Sequence, residues 1–245
     1  MVILLSNDDG YKAHGINILA KHLQKIARVI IFAPSKNHSG SSSALSLHMD
    51  LEIEKKATDV YVVNGTPADT VYLGLSDFLD VKPDLVISGI NHGANLGEDV
   101  LYSGTVAAAI EGRTLGMPSI AVSSIGRSKE NYDVSAKITI KILQNLSDHP
   151  LPPGTILNIN VPEKDYCELN GVVATRLGTR HPSKPLYVKS KGKNLYQIGL
   201  PGAGKDAGPG TDFYAISQDS VSITPIQLDM TNHSILPEMQ EWLSK

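Results

Sequence analysis

Short apolar runs alternate with segments of helical periodicity through the first two-thirds of this chain, the pattern of βαβ units around a mostly parallel sheet. The runs predicted as strands are Val2 to Ser6, Val29 to Ala33, Val60 to Asn64, Asp84 to Ile90, Ser119 to Ser123 and Ile156 to Val161. Four helical segments fall between them: Ile16 to Leu23, Asp69 to Leu79, Thr105 to Leu115 and Ala136 to Leu146. In the second, Val71, Leu75 and Leu79 recur at helical spacing and give it one apolar face.

Beyond about Thr175 the alternation stops, and glycine and proline become frequent. Leu186-Tyr187-Val188 and Asn194 to Ile198 flank the polar stretch Lys189-Ser190-Lys191-Gly192-Lys193 and read as a hairpin with a long loop. Such a hairpin either folds back on its own domain or pairs with another subunit, because exposed strand edges need cover. Gly199 to Asp212 reads as an irregular loop. After the strand Val221 to Thr224, the tail from Ser234 to Lys245 is predicted helical, with Ile235, Met239, Trp242 and Leu243 on one face. That face suits either ordinary core or a partner subunit. The division expected is a core over 1–175 and a C-terminal oligomerisation region over 176–245.

At 245 residues the chain can bury a full core, and 41% hydrophobic against 19% charged residues is the balance of a globular protein. A net charge of −3 argues against broad nucleic-acid binding, so any phosphate recognised belongs to a small molecule. Cys167 is the only cysteine, which excludes an internal disulfide and suits a reducing cytosol. No segment has the length to span a bilayer. A cytoplasmic protein without membrane or nucleic-acid partners is expected.

The chemistry begins at Asn7-Asp8-Asp9-Gly10, directly after the first predicted strand. Two adjacent carboxylates there suit a hard divalent cation, and open α/β sheets bind ligands beyond the carboxyl ends of their strands. The same tetrapeptide is also good turn or helix-cap chemistry. For both carboxylates to meet one ion the chain must turn at Gly10, since alternate side chains of an extended strand point apart.

Three further stretches bring candidate ligands to the same edge. Ser35 to Ser43 follows the second strand and offers hydroxyls and backbone N–H groups, Ser39 foremost; the alternative is a flexible Ser/Gly loop. Ser88 to Gly97 ends the fourth strand with glycines and the amides Asn91 and Asn95, whose oxygens suit Mg²⁺ or Mn²⁺. His92 among them is as readily structural as catalytic. Ser103-Gly104-Thr105 opens an alanine-rich helix, whose free N–H groups and positive dipole end can hold an anion, or whose Ser merely caps it. A cation beside an anion site suggests a phosphate ester between them.

Other motifs are excluded. Gly199 to Asp206 has Walker A spacing, but Asp206 replaces the required hydroxyl residue and Gly-Pro-Gly follows instead of a helix. Neither a dinucleotide glycine fingerprint nor Gly-x-Ser-x-Gly, CxxC or HExxH is present.

Together these stretches resemble the SurE survival-protein family of metal-dependent nucleotidases. The resemblance rests on Asn7-Asp8-Asp9-Gly10, Ala33-Pro34 with Ser39-Gly40, Asn64-Gly65-Thr66-Pro67-Ala68-Asp69, and Ser88-Gly89-Ile90-Asn91 with Gly93 and Asn95. Ser103 to Ala109, Gly210-Thr211-Asp212 and Ser222-Ile223-Thr224-Pro225 complete it. One departure is Gln218-Asp219, where family members often have glycine.

The resemblance implies a Rossmann-like core, with the C-terminal hairpin and terminal helix exchanged between subunits of a homodimer or homotetramer. It implies Asp8, Asp9, Ser39 and Asn95 as ligands of one divalent ion per subunit, and Asn91, Ser103, Gly104 and Thr105 near the phosphate. Asp8 and Asp9 are the catalytic pair, with an activated water or an Asp8 nucleophile both open. The implied reaction is hydrolysis of nucleoside monophosphates at the 5' or 3' position, with acid phosphatase and exopolyphosphatase activity also known in the family. A non-enzymatic nucleotide sensor and a structural oligomer remain the alternatives.

Overall fold

The computed structural model describes residues 1–183, 186–190, 193–199 and 201–244. Lys191 and Gly192 of the hairpin loop, Leu200 of the glycine-rich stretch and Lys245 of the tail lie outside the described residues. In chain order the elements are β1 (Val2–Ser6), α1 (His14–Leu23), β2 (Arg28–Pro34), β3 (Ile53–Ala57), β4 (Val60–Val63) and α2 (Pro67–Gly74). There follow β5 (Leu85–His92), α3 (Gly104–Glu111), β6 (Ser119–Ser124), α4 (Lys129–Asp148), β7 (Ile156–Val161), β8 (Val172–Ala174) and β9 (Thr179–Arg180). The chain continues through β10 (Leu186–Ser190), β11 (Lys193–Gln197), β12 (Gly204–Asp206), α5 (Asp212–Ser217), β13 (Val221–Ile226) and α6 (Leu236–Leu243).

Nine strands form one sheet in the order β3-β4-β2-β1-β5-β6-β7-β13-β8, parallel from β4 to β7. Its central strands are almost uniformly apolar because both faces are covered. Alternation along β1 divides them: Ile3 and Leu5 pack with Ile16 and Leu19 of α1 and Ile138 and Ile142 of α4, whereas Leu4 packs with Val71 of α2 and Ala108 of α3. Helices therefore cover both faces, and the order reverses at β1, leaving a crevice where the β1 and β5 loops diverge.

The predicted strands are all present, while several limits move. α2 opens at Pro67, two residues before the expected start, because Thr66 and Asp69 form a reciprocal cap. α4 begins at Lys129 rather than Ala136, capped by Ser128 and Asn131. Part of the expected loop from Gly199 to Asp212 is ordered as β12, which pairs with β9. The hairpin is tighter than expected, with Ser190 opposite Lys193. At the departure noted in the sequence, Asp219 itself adopts φ 53°, the left-handed conformation in which glycine is favoured and aspartate tolerated.

β13 pairs antiparallel with β7 and parallel with β8, so the C-terminal third returns a strand to the main sheet. Among the described residues β10 and β11 pair only with each other, and α6 contains no buried residue.

Candidate cation and phosphate pocket

β1 ends at Ser6 and the chain bends through Asp8 and Asp9, with Gly10 at φ 96°. Asn7 steadies the bend by donating from Nδ2 to the Gly10 carbonyl at 3.0 Å. Asp8 is buried, and Thr105 donates its hydroxyl to Asp8 Oδ1 at 2.6 Å. Burial pushes the Asp8 carboxyl up to about 6; the Thr105 hydrogen bond opposes this and the neighbouring Asp9 charge adds to it. Asp9 is raised too, chiefly by burial, against a 3.4 Å bond donated by the His92 N–H. Among the described residues neither carboxylate is paired with a lysine, arginine or histidine.

Asp8, Ser39, Asn91, Asn95 and Ser103 line one cavity of about 940 Å³. Its far end is built by Glu98, Asp99 and Tyr102 and by Arg180, His181 and Gly202 of the C-terminal region. Arg180 joins the two walls, donating to both carboxylate oxygens of Asp99 and to the Gly202 carbonyl. The fold thus brings five of the expected residues together. Asp9 stands beside this cavity rather than on its lining, held by His92 and, at 3.3 Å, by Asn37 Nδ2.

The other residues are engaged as follows. Ser39 is exposed on the rim, its N–H bonded to Asn37 Oδ1 at 2.8 Å. Asn91 donates to the Gly93 carbonyl, and Ser103 Oγ caps α3 by accepting from the Val106 N–H. The Thr105 hydroxyl is directed at Asp8. Gly104 packs against that same carboxylate: a Cβ on it would lie 2.8 Å from Asp8 Cβ and 3.0 Å from Ser41 Oγ. The absent side chain is what lets the α3 terminus, with its unpaired first N–H groups, meet the end of β1.

Three sets of contributors take their place in the site through tertiary contacts rather than through a local pattern. Asp69 accepts from Ser46 N and Oγ as well as from the Thr66 N–H, tying the loop after Ser39 to the start of α2. Burial raises the Asp69 carboxyl, but those donors outweigh it and hold it below its ordinary range. His38 donates its backbone N–H to the Asp8 carbonyl and has a buried Nε2 without a hydrogen-bond partner. Ser123, Asn158 and Asn160 surround Asn95; the only hint of them is a pair of amides at alternate positions of an apolar strand.

The donors fit a hard divalent cation. All are oxygens, and a buried carboxylate beside a half-buried one, neither with a cationic partner among the described residues, is the feature such an ion compensates.

Fold and pocket together define an open, mostly parallel α/β protein with an oxygen-lined pocket beside a helix N-terminus at the carboxyl ends of its strands. Residues 3–184 match the family model described as survival protein SurE, and the chain belongs to the SurE family. It is 49% identical to the 5'-nucleotidase SurE of Halorhodospira halophila, over 99% of this chain and 98% of that protein. To the 5'-nucleotidase SurE of Pseudoalteromonas atlantica it is 48% identical over the full length of both. The crystal structure of the SurE protein from Aquifex aeolicus superposes with a TM-score of 0.87 at 41% identity, covering both chains completely.

Proposed function

We propose that this protein is a divalent-metal-dependent phosphomonoesterase that hydrolyses nucleoside monophosphates to nucleoside and phosphate. The observation that carries the reading is the buried, cation-free Asp8 facing one cavity with Ser39, Asn95 and the start of α3. The name 5'-nucleotidase, borne by relatives across their whole length, supports the substrate class.

Asp8, Asp9, Ser39 and Asn95 would hold one Mg²⁺ or Mn²⁺, which supplies charge neutralisation and lowers the pKa of water. The N–H groups opening α3 at Gly104 and Thr105 would receive phosphoryl oxygens, with Ser103 and Asn91 beside them. Thr105 holds Asp8 in one orientation, leaving its second carboxylate oxygen for the pocket. The far end of the cavity, at Tyr102 and Arg180, leaves room for the nucleoside.

The core over 1–175 carries the pocket's ligands, and 176–245 serves assembly into a homodimer or homotetramer. Support comes from the hairpin that pairs only with itself among the described residues, and from Leu236, Trp242 and Leu243 exposed on α6. Exchange of these elements between subunits would cover both. A single, exposed cysteine fits a reducing compartment, so the cytoplasm is the proposed location.

The experiment is phosphate release from a panel of 5'- and 3'-nucleoside monophosphates, with Mg²⁺, Mn²⁺ or chelator. Turnover that requires metal and falls with Asp8→Asn supports the reading. Undiminished turnover after complete chelation, or none with any metal, overturns it.

A further inference from the structure

The far end of the cavity is walled by a single tight turn over Gly97–Leu101, and its first three residues are each held by the C-terminal region. Asp212 is fully buried. It accepts from the Gly97 N–H on Oδ2 at 2.7 Å, and from the Gly178 and Phe213 N–H groups on Oδ1, both at 2.9 Å. Arg180 gives its backbone N–H to Glu98 Oε2 at 3.0 Å and its Nε and Nη2 to the Asp99 carboxylate, while its guanidinium carbon lies 4.7 Å from the centre of the Phe213 ring. Gly97 has φ 54°, and a Cβ on it would lie 2.6 Å from the Gly178 carbonyl oxygen, so the two backbones meet directly. Glu98, Asp99, Leu101 and Tyr102 line the cavity; Asp212 stands behind them.

We infer that Asp212 is a positioning residue that fixes the turn Gly97–Leu101 and, through it, the nucleoside end of the pocket. The inference rests on the proposal that this end receives the nucleoside. The bonds have one direction, since each donor is a backbone N–H and a carboxylate only accepts. The fold of α5 does not call for this carboxylate at its start, because Thr211 already caps the helix by accepting from the Tyr214 N–H. Burying a charge there costs desolvation, which the N–H groups of two distant loops offset. The effect passes along the turn: the Tyr102 N–H donates to the Asp99 carbonyl, so a shift of Gly97 and Asp99 carries Tyr102 with it. The phosphate end is anchored separately, by Thr105 on Asp8. A loosened turn should therefore be felt by the nucleoside and not by the phosphoryl group.

The test is phosphate release by the full chain with Mn²⁺, from a nucleoside 5'-monophosphate and from p-nitrophenyl phosphate, which has no nucleoside, with thermal unfolding alongside. Asp212→Asn keeps Oδ1 for Gly178 and Phe213 and sets an amide NH₂ against the Gly97 N–H. It is expected to raise KM for the nucleoside monophosphate roughly 10-fold, leaving kcat for that substrate and kcat/KM for p-nitrophenyl phosphate within about 3-fold of the parent. Gly97→Ala displaces the same turn from the other side, since its Cβ meets the Gly178 carbonyl, and should show the same split. A carboxylate that served only the fold would lower the melting temperature and move both substrates alike. Equal losses on the two substrates, a loss carried by kcat, or no change in a folded variant overturns the positioning role and leaves the phosphomonoesterase reading standing. A parent that turns over neither substrate overturns that reading and the inference with it. Should Asp212→Asn not fold, Gly97→Ala decides alone.

Discussion

Thr105 donates its hydroxyl to Asp8 Oδ1 at 2.6 Å, joining the first turn of α3 to the end of β1 across 97 positions of sequence. The bond links the two halves of the pocket: the carboxylate proposed for the cation and the helix terminus proposed for the phosphate. A residue expected beside the phosphate thereby acquires a second task, since its hydrogen is given to Asp8 while its backbone N–H remains at the helix start.

Thr105→Val keeps the shape of the side chain and removes the donor. A hydrogen bond to a charged group contributes about 1.5–3 kcal/mol, so kcat/KM for a nucleoside monophosphate should fall roughly 10- to 100-fold. Because this bond lowers the Asp8 carboxyl, the acid limb of the pH–rate profile should also move to higher pH. Thr105→Ser retains the hydroxyl and should stay close to the parent in both measurements.

Asp8→Asn should make the metal-free protein more stable while abolishing turnover. The Asp8 carboxyl titrates near 6 in the fold, above its ordinary 3.8, so burial disfavours the charged form. Above pH 6 the folded state carries that full penalty; it fades as pH falls through 6 and is gone below 3.8. An asparagine escapes the penalty and still accepts from Thr105, giving roughly 2–3 kcal/mol of extra stability at pH 8 and none at pH 3.5. Urea unfolding with chelator at the two pH values measures this, and equal stability at pH 8 contradicts it.

Metal binding should release protons in the same window. Near pH 6 about half of the Asp8 carboxyls are protonated and must ionise to bind, so about half a proton leaves per ion, and close to none at pH 8. Titration calorimetry in buffers of different ionisation enthalpy counts them, and affinity for Mn²⁺ should weaken as pH falls below 6.

Gly104→Ala separates local propensity from geometry. Alanine is the better helix former, yet its Cβ would lie 2.8 Å from Asp8 Cβ, so the α3 terminus must retreat from β1. A displacement near 1 Å can cost about 100-fold in rate, and kcat/KM should fall on that scale. Circular dichroism should show the helical content retained.

The parts of this fold that could be read in advance are those whose signal is local. β1 and β7 have their expected limits because apolar-rich runs, interrupted in β7 by Asn158 and Asn160, give way at Asn7 and Pro162. β3 escapes notice because Ile53-Glu54-Lys55-Lys56-Ala57 lies on the sheet edge, exposed after its first residue, and lacks the alternation of a half-buried strand. The β9–β12 pair is too short for any period. The pocket follows the same rule. Asp8, Ser39, Asn95 and Ser103 stand in recognisable loops at strand or helix ends, whereas Asn158, Asn160 and Ser123 acquire meaning only when β6 and β7 align behind Asn95. Asp69 lies in a recognisable cap, but its hold on Ser46 is a tertiary contact.

The exposed face of α6 offers the last test. Leu236, Trp242 and Leu243 leave about half or more of their surface open, and Met230 ahead of them is more exposed still. A chain that keeps such residues at a terminus gains by burying them against a second copy, and each large apolar side chain covered contributes about 1.5–3 kcal/mol. Trp242→Lys with Leu243→Lys should therefore weaken self-association at least 100-fold. Light scattering behind size exclusion should then show a smaller species at micromolar concentration. The residues proposed to hold the cation lie between Asp8 and Asn95, and no residue of α6 lines the cavity, so Mn²⁺ affinity per chain should be retained. A parent protein that is monomeric throughout would refute the assembly proposed for residues 176–245.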